Sequence, residues 1–166
     1  MITGPVGSGK STLLRAILGE LPCSDGQIQI SSSYLAYCAQ KVWLQNRTVQ
    51  QIVTGLLEND DIDIQWFDKV LRACALDEDV QNLPRGEQTL IGSKGVTLSG
   101  GQKQRLALAR AIYARRSIVV LDDVLSALDA TTERKVVDRL LGPNSLLREL
   151  RTTIVLVTHA SKCSLC

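Results

Sequence analysis

Residues 4–11 read Gly-Pro-Val-Gly-Ser-Gly-Lys-Ser, and this stretch constrains the fold of the chain more than any other. The spacing Gly-x4-Gly-Lys-Ser is the pattern of a phosphate-binding loop that connects a buried strand to a helix. Glycines at positions 4, 7 and 9 let the backbone turn tightly and approach phosphate groups without a clash from a Cβ atom. The pattern therefore predicts a strand, a loop and a helix arranged around a nucleotide.

Lys10, Ser11 and the first turn of the following helix supply the groups that a triphosphate needs. The Lys10 ammonium suits the β and γ phosphates, and the Ser11 hydroxyl can ligate Mg²⁺. The start of the helix presents unpaired N–H groups and the positive end of its dipole to the anion. The alternative is an ordinary glycine-rich turn, but the full pattern arises by chance on the order of once in a few hundred chains of this length. We therefore favour the phosphate-binding loop.

Size and composition exclude several classes of protein. The 166 residues fit one domain that can bury roughly 70% of its unfolded surface. A net charge of +2, with both signs interspersed, gives no extended positive potential that would attract nucleic acid. Apolar runs such as Ile118 to Leu121 are far shorter than the ~20 residues of a membrane-spanning helix.

Five cysteines, an odd number without a disulfide framework, fit a reducing compartment. Cys163 and Cys166 lack the second pair that a zinc site needs, so we favour a frayed tail there.

The apolar pattern predicts alternating helices and strands, and hence an α/β fold. Leu14, Ile17, Leu18 and Leu21 share one face of a helix that starts at Ser11. Further helices are predicted at Thr48 to Leu57, Gln65 to Ala75, Ser99 to Ala114, 136–141 and Ser145 to Leu150. Continuous apolar runs at Ser117 to Leu121 and Thr153 to Val157 indicate strands that are buried on both faces.

Two further features complete the predicted architecture. Gln27 to Ile30 and Tyr34 to Cys38 alternate polar and apolar residues, which predicts a small antiparallel β element. Residues 48–114 are predicted to form an inserted α-helical subdomain. The fold class is therefore that of a phosphate-loop NTPase, with a mainly parallel sheet as its core.

Polar side chains follow the two predicted buried strands, at the edge where doubly wound sheets bind ligands. Asp122 and Asp123 end the strand at Ser117 to Leu121, and Asp122 can hold Mg²⁺ through water. His159 follows the last strand and is a candidate γ-phosphate sensor, although a single histidine there is a surface residue about as often. Gln40 could reach the metal or a water, although a glutamine at such a place is more often a solvated loop residue.

Leu98-Ser99-Gly100-Gly101-Gln102 opens a long alanine-rich helix. Ser-x-x-Gln before a helix is also an ordinary capping box. A cap does not need two adjacent glycines, each of which costs a helix interior roughly 1 kcal/mol relative to alanine. They suggest that another group, such as an anion, must approach the backbone closely.

Taken together and in this order, these motifs resemble the nucleotide-binding domain of an ATP-binding-cassette (ABC) protein over nearly the whole chain. Three segments, Cys38 to Leu44, Ile91 to Gly95 and Leu121 to Ser126, are most similar to the first nucleotide-binding domain of the multidrug-resistance-associated exporters of subfamily C. In that family two domains close head to tail, so that each ATP lies between the phosphate loop of one and the signature helix of the other.

The resemblance implies ATP and Mg²⁺ as cofactors, and a second nucleotide-binding domain and transmembrane domains as partners. It implies a place on the cytoplasmic face of a membrane, as part of a transporter. The implied phosphate-binding residues are Gly4, Pro5, Val6, Gly7, Ser8, Gly9, Lys10, Ser11 and Thr12. The implied Mg²⁺ ligands are Ser11, Gln40 and Asp122, and the implied catalytic residues are Asp123, His159 and Gln40. The implied interface residues are Ser99, Gly100, Gly101 and Gln102, which contact the partner's nucleotide, and Asp129, which links the two sites.

The chain departs from the family pattern in three respects. The strands and the adenine-stacking aromatic residue that the family carries before the loop are not in it, and few residues follow His159. We therefore expect residues 1–166 to be a single but incomplete nucleotide-binding domain. Asp123 stands where most active members have a glutamate, which implies slow hydrolysis. Two alternatives stay open: a soluble ABC ATPase, and a truncated remnant without activity. A DNA-repair ATPase would carry a long heptad insertion, which is absent here.

Overall fold

The computed structural model describes residues 1–22, 24–31, 34–55, 61–92 and 95–158. The strands are β1 (Ile2–Thr3), β2 (Ala36–Cys38), β3 (Arg47–Thr48), β4 (Leu90–Ile91), β5 (Ile118–Asp122) and β6 (Thr153–Thr158). The helices are α1 (Lys10–Ile17), α2 (Val49–Thr54), α3 (Ile64–Ala73), α4 (Asp77–Gln81), α5 (Gly100–Tyr113), α6 (Ala130–Leu141) and α7 (Leu146–Glu149). Gly86–Gln88 form one 3₁₀ turn. His159, Cys163 and Cys166 lie outside the described residues.

The central sheet is parallel throughout and has the strand order β1-β6-β5-β2. Ile2 pairs with Val157, Leu121 with Leu156, and Cys38 with Leu121. Because the strands are parallel, the ends of β1, β2, β5 and β6 that lead into the candidate site lie at one edge. The predicted α/β fold with a mainly parallel sheet is confirmed.

Strand β5 is an inner strand of the central sheet, between β6 and β2, and is buried along its whole length. Ile118 and Val120 pack in a cluster with Leu14 of α1 on one face of the sheet. Val119 and Leu121 belong to the larger core that includes residues of α5 and α6 on the other face. Successive side chains of a strand point to opposite faces, so a strand that is covered on both sides needs a continuous apolar run.

The antiparallel element exists, but other residues form it. The pairing is between β3 and β4, with Arg47 opposite Ile91 and Thr48 opposite Leu90. Residues 27–30 form no strand, and β2 pairs in parallel with β5 in the central sheet. The predicted strand at Gln27 to Ile30 and its antiparallel pairing were therefore wrong, whereas the strand predicted at Tyr34 to Cys38 exists as β2. Alternation over four residues specifies a strand only where a neighbour covers its apolar side, and Ile28 remains 48% exposed.

The helices largely follow the apolar pattern, with two differences. Helix α1 ends at Ile17, and Gly19 at φ +75° follows, so Leu21 lies beyond the helix. Helix α4 is not predicted by the pattern because it has only five residues, and its first turn is acidic. Acidic side chains are favourable there because they face the positive end of the helix dipole. The subdomain boundary at 48–114 stays a prediction. None of the helices described is long and apolar enough to cross a membrane.

Candidate functional site

The loop between β1 and α1 adopts a conformation that depends on glycine. Gly7 has φ +82° and Gly9 has φ +86°, in the left-handed region that other residues rarely occupy. At Gly4 an added Cβ would lie 2.9 Å from the Ser8 hydroxyl, so a larger residue would push against the loop itself. The spacing of glycines in the sequence thus has a local steric cause.

The Lys10 side chain lies within this loop. Only 7% of Lys10 is exposed, and its ammonium donates to the carbonyl oxygens of Gly4 at 2.8 Å and Pro5 at 2.7 Å. A longer contact of 3.4 Å leads to the Ser8 hydroxyl. The lysine therefore ties the two ends of the loop together and places a positive charge at its centre.

The first turn of α1 faces the same place. Gly9 is the N-cap residue, no side chain caps the helix, and its first turn carries no acidic residue. Its N–H groups and the positive end of its dipole are therefore arranged as in an anion site. The loop and this turn bound a cleft of about 420 Å³. The cleft is lined by Val6, Gly7, Gly9, Lys10, Ser11, Thr12 and Gln40.

Ser11 and Asp122 meet beside this cleft, although 111 residues separate them in the sequence. The Ser11 hydroxyl donates to Oδ1 of Asp122 at 3.3 Å. Asp122 is the last residue of β5 and only 5% exposed. A hydroxyl and a carboxylate are the hard oxygen donors that Mg²⁺ accepts, and Mg²⁺ in such sites takes further ligands from substrate phosphates. The donor set therefore fits Mg²⁺ bound together with a triphosphate.

Asp123 and Gln40 form a second pair at this edge. The Gln40 amide donates to Oδ2 of Asp123 at 2.9 Å. Asp123 is 4% exposed and has φ +52°, a region that aspartate tolerates better than most residues. Its N–H donates to the Val157 carbonyl at 2.9 Å, and its own carbonyl accepts from the Ser126 hydroxyl at 2.9 Å. Backbone and side-chain contacts therefore both fix the position of this carboxylate.

The Ser99 turn is a complete capping box. The Ser99 N–H donates to Oε1 of Gln102 at 2.9 Å, and the Gln102 N–H donates to the Ser99 hydroxyl at 3.2 Å. A Cβ added at Gly101 would lie 3.1 Å from the Ala127 carbonyl oxygen, whereas one at Gly100 would meet open space. The chain's own packing thus explains why residue 101 is glycine, and only Gly100 remains open to an approaching group.

Asp129 caps helix α6. Its carboxylate accepts from the N–H groups of Thr131 at 3.1 Å and Thr132 at 3.0 Å. The hydrogen bonds from the Thr132 hydroxyl and N–H lower the pKa of the Asp129 carboxyl. Asp129 is exposed to solvent. Asp129 therefore stabilises the start of α6, in addition to the predicted link between two ATP sites.

The structure brings part of the predicted site together. The loop, Ser11, Asp122, Gln40 and Asp123 meet at one edge of the sheet. The Ser99–Gln102 turn has its side-chain hydrogen bond elsewhere, with Asp79. The sequence interpretation missed Asp79, which lies 23 residues before Gln102 in the sequence and on a helix that the pattern did not reveal. Its one sequence signal is the acidic run Asp77 to Asp79, which is typical of the first turn of a helix.

The chain is similar to known ABC transporter proteins over most of its length. The family model described as ABC transporter matches residues 1–126. ABC multidrug transporter B of Aspergillus fumigatus is 49% identical over 162 residues, which cover 98% of this chain and 11% of that protein. ABC transporter gloK of Glarea lozoyensis is 51% identical over 160 residues, covering 96% of this chain and 12% of that protein.

A yeast protein gives a similar result. Bile pigment transporter 1 of Saccharomyces cerevisiae is 43% identical over 166 residues, which cover 95% of this chain and 10% of that protein. The chain thus spans about a tenth of the length of the relatives it matches.

Proposed function

The chain belongs to the ABC transporter family, and from that premise we propose that it binds Mg-ATP in the cleft over the Gly4–Thr12 loop and hydrolyses it slowly. The observation that carries this proposal is the contact between Ser11 and Asp122 at 3.3 Å beside the helix start and Lys10. Anion donors, a cation and a pair of hard oxygen ligands lie together there. A triphosphate with its metal needs this combination.

Each part of the cleft has its own task in binding. The N–H groups of the loop and of the first turn of α1 donate to phosphate oxygens. Lys10 neutralises charge on the β and γ phosphates, and a charge-assisted bond of this kind is roughly twice as strong as a neutral one. Ser11 and Asp122 would hold Mg²⁺, whose charge would favour the negatively charged phosphates during hydrolysis. Gln40 lines the cleft and is proposed to contact the metal or a water.

Asp123 is the proposed base. It directly follows Asp122, and the hydrogen bond from Gln40 orients its carboxylate. Aspartate is one methylene shorter than the glutamate usual in the family, and a base must lie within roughly 2.6–3.2 Å of the proton carrier or act through one water. A carboxylate that falls short of this range polarises water poorly while phosphate binding continues. His159 is proposed to contact the γ-phosphate.

We propose that the ATP cycle serves transport across a membrane. The three relatives described above carry the word transporter in their names, which favours this function over that of a soluble ABC ATPase. By the resemblance, the partners are transmembrane domains and a second nucleotide-binding domain, and the class is a subfamily C exporter on the cytoplasmic face of a membrane. Ser99 to Gln102 then contact the partner's nucleotide, and Asp129 lies at the interface.

Lys10→Ala tests ATP binding directly. We expect the variant to lose binding of a fluorescent ATP analogue in the presence of Mg²⁺, because it removes the cation and the contacts that tie the loop. Lys103→Ala removes the same charge from an exposed position of α5 and serves as the control. Equal affinity in wild type and Lys10→Ala would refute the phosphate-loop assignment. A wild type that binds no nucleotide would favour the inactive remnant.

A further inference from the structure

We propose that Asp79 is a positioning residue for the Ser99–Gln102 turn, an inference that rests on the proposed function. Asp79 lies in the first turn of α4. One of its carboxylate oxygens accepts from the Gln102 amide at 2.8 Å, and the other accepts from the Arg105 guanidinium at 2.6 Å. Gln102 and Arg105 are three residues apart and so lie on the same face of α5. A single carboxylate therefore holds the start of this helix at two points.

The contact with Asp79 decides which way the Gln102 amide points. A carboxylate can only accept hydrogen bonds, so the NH₂ group of Gln102 must face it. The amide oxygen is then turned towards Ser99, whose N–H donates to it at 2.9 Å. In the reversed orientation, the amide oxygen would face a carboxylate and its NH₂ group would face an N–H donor, and both contacts would be repulsive. Asp79 thereby fixes the capping box from outside.

Arg105 holds Asp79 in place. Its guanidinium also donates to the Ala75 carbonyl, and the Arg105 and Asp79 side chains are only 11% and 27% exposed. Water and salt screen such a pair much less than a surface pair. Within the part of the chain that the structure describes, Nε of Arg105 is buried without a hydrogen-bond partner. The Asp79 carboxylate is therefore the anion that compensates the positive charge of the largely buried Arg105 side chain.

Asp77 provides a matched control in the same turn of α4. Its carboxylate pairs with Arg139 of α6 at 3.9 Å and so points towards a different helix. Asp77→Asn and Asp79→Asn make the same chemical change and weaken the same helix-dipole interaction. A difference between the two variants therefore reports on the contacts of Asp79 with α5.

Asp79→Asn should loosen the turn because asparagine has only one acceptor oxygen. Gln102 and Arg105 donate to different oxygens of Asp79, so in this geometry the asparagine oxygen can accept from one of them while its NH₂ group faces the other donor. We expect amide hydrogen exchange at Ser99 to become roughly fivefold faster or more, as for the loss of one hydrogen bond. Asp77→Asn should leave the exchange of Ser99 at the wild-type rate.

The second readout is association with a complementary ABC nucleotide-binding domain. For Asp79→Asn we expect the ATP concentration at half-maximal association to rise on the order of tenfold, the effect of about 1.4 kcal/mol in binding free energy. Binding of ATP to the loop of this chain should stay unchanged, since Asp79 does not line that cleft. If Asp79 only stabilised the packing between α4 and α5, its loss would not weaken association while leaving ATP binding unchanged.

These experiments separate the inference about Asp79 from the proposed function. Wild-type exchange at Ser99 together with wild-type association in Asp79→Asn would overturn the inference. A wild-type chain that binds no ATP would refute the proposed function, and the exchange rates at Ser99 would still decide whether Asp79 holds the turn. If Asp79→Asn does not fold, Gln102→Glu keeps an acceptor oxygen for the Ser99 N–H and leaves the ion pair between Asp79 and Arg105 in place, but it replaces the bond to Asp79 with repulsion between two carboxylates, so exchange at Ser99 should become faster. Unchanged exchange at Ser99 in that variant also contradicts the inference.

Discussion

The Gln40 amide donates a hydrogen bond of 2.9 Å to the Asp123 carboxylate, across 83 residues of sequence. Gln40 follows β2 and Asp123 follows β5, and these two strands are neighbours in the central sheet. The bond therefore joins the ends of adjacent strands and holds the candidate base from the side. Any change in the length of the Asp123 side chain must also alter this contact.

Asp123→Glu should raise ATP hydrolysis on the order of tenfold, out of the roughly 10²–10⁴-fold that positioned proton transfer contributes. The longer side chain brings the carboxylate closer to the attacking water, while ATP affinity changes little. Glutamate at φ +52° is less favourable than aspartate, so we expect a stability cost of up to about 1 kcal/mol. Turnover would be measured in a complete transporter or a pair of nucleotide-binding domains.

Asp138→Glu, an exposed position on α6, controls for the added methylene. A rate that stays level or falls in Asp123→Glu, together with brisk turnover in the wild type, would show that aspartate is an adequate base.

Ser99→Arg should block ATP-driven association with a complementary nucleotide-binding domain and leave ATP binding to this chain intact. The arginine would fill the space before the glycines, where the partner's nucleotide is proposed to lie. Ser99 also caps α5, so part of the effect could come from the lost cap, which costs about 1 kcal/mol. Ser99→Ala removes the cap without adding bulk and should weaken association less than Ser99→Arg does. Loss of ATP binding in the isolated Ser99→Arg chain would contradict this arrangement.

Gly100→Ala and Gly101→Ala should affect stability differently although the residues are adjacent. Alanine favours a helix by up to about 1 kcal/mol over glycine, and at Gly100 its Cβ meets open space. At Gly101 the Cβ would lie 3.1 Å from the Ala127 carbonyl oxygen, so the turn after Asp123 must shift. Urea denaturation should therefore rank Gly100→Ala above wild type and Gly101→Ala below Gly100→Ala. Equal stabilisation by the two substitutions would mean that the Ala127 carbonyl moves away from the added Cβ with no measurable cost in the free energy of unfolding.

Cys38 should make the protein lose stability at alkaline pH. Burial raises the pKa of the Cys38 thiol from 9.0 to about 12. Above pH 9 the unfolded chain releases this proton and the folded chain keeps it. Stability should therefore fall between pH 9 and about pH 12, by up to about 1.4 kcal/mol per pH unit from this thiol.

Urea denaturation at a series of pH values from 8 upwards measures the slope for Cys38. Burial also raises the pKa of the Cys74 thiol, so the wild type carries two such contributions. Cys38→Ala should show a shallower slope than wild type, at the expense of a small cavity. The same slope in both proteins would rule out a buried neutral thiol at this position.

The sequence could predict features that depend on local geometry and on burial. The glycine spacing of residues 4–9 is dictated by the backbone angles of the loop itself, so it is visible in the sequence. The apolar run of β5 reflects the packing of other elements against both faces of the sheet, so it is also visible in the sequence. The capping box at Ser99 lies within four residues, and the sequence revealed it for the same reason.

Features that join distant segments were decided by the tertiary structure. Alternation at Gln27 to Ile30 did not make a strand, because a strand needs a partner that local sequence does not specify. The carboxylate of Asp79 reaches Gln102 only because α4 packs beside the start of α5, and the sequence pattern did not show α4. The Ala127 carbonyl likewise explains Gly101 only once the turn after β5 has folded against α5. Local rules fix the loop and the central strand, whereas side-chain contacts across tens of residues exist only in the packed chain.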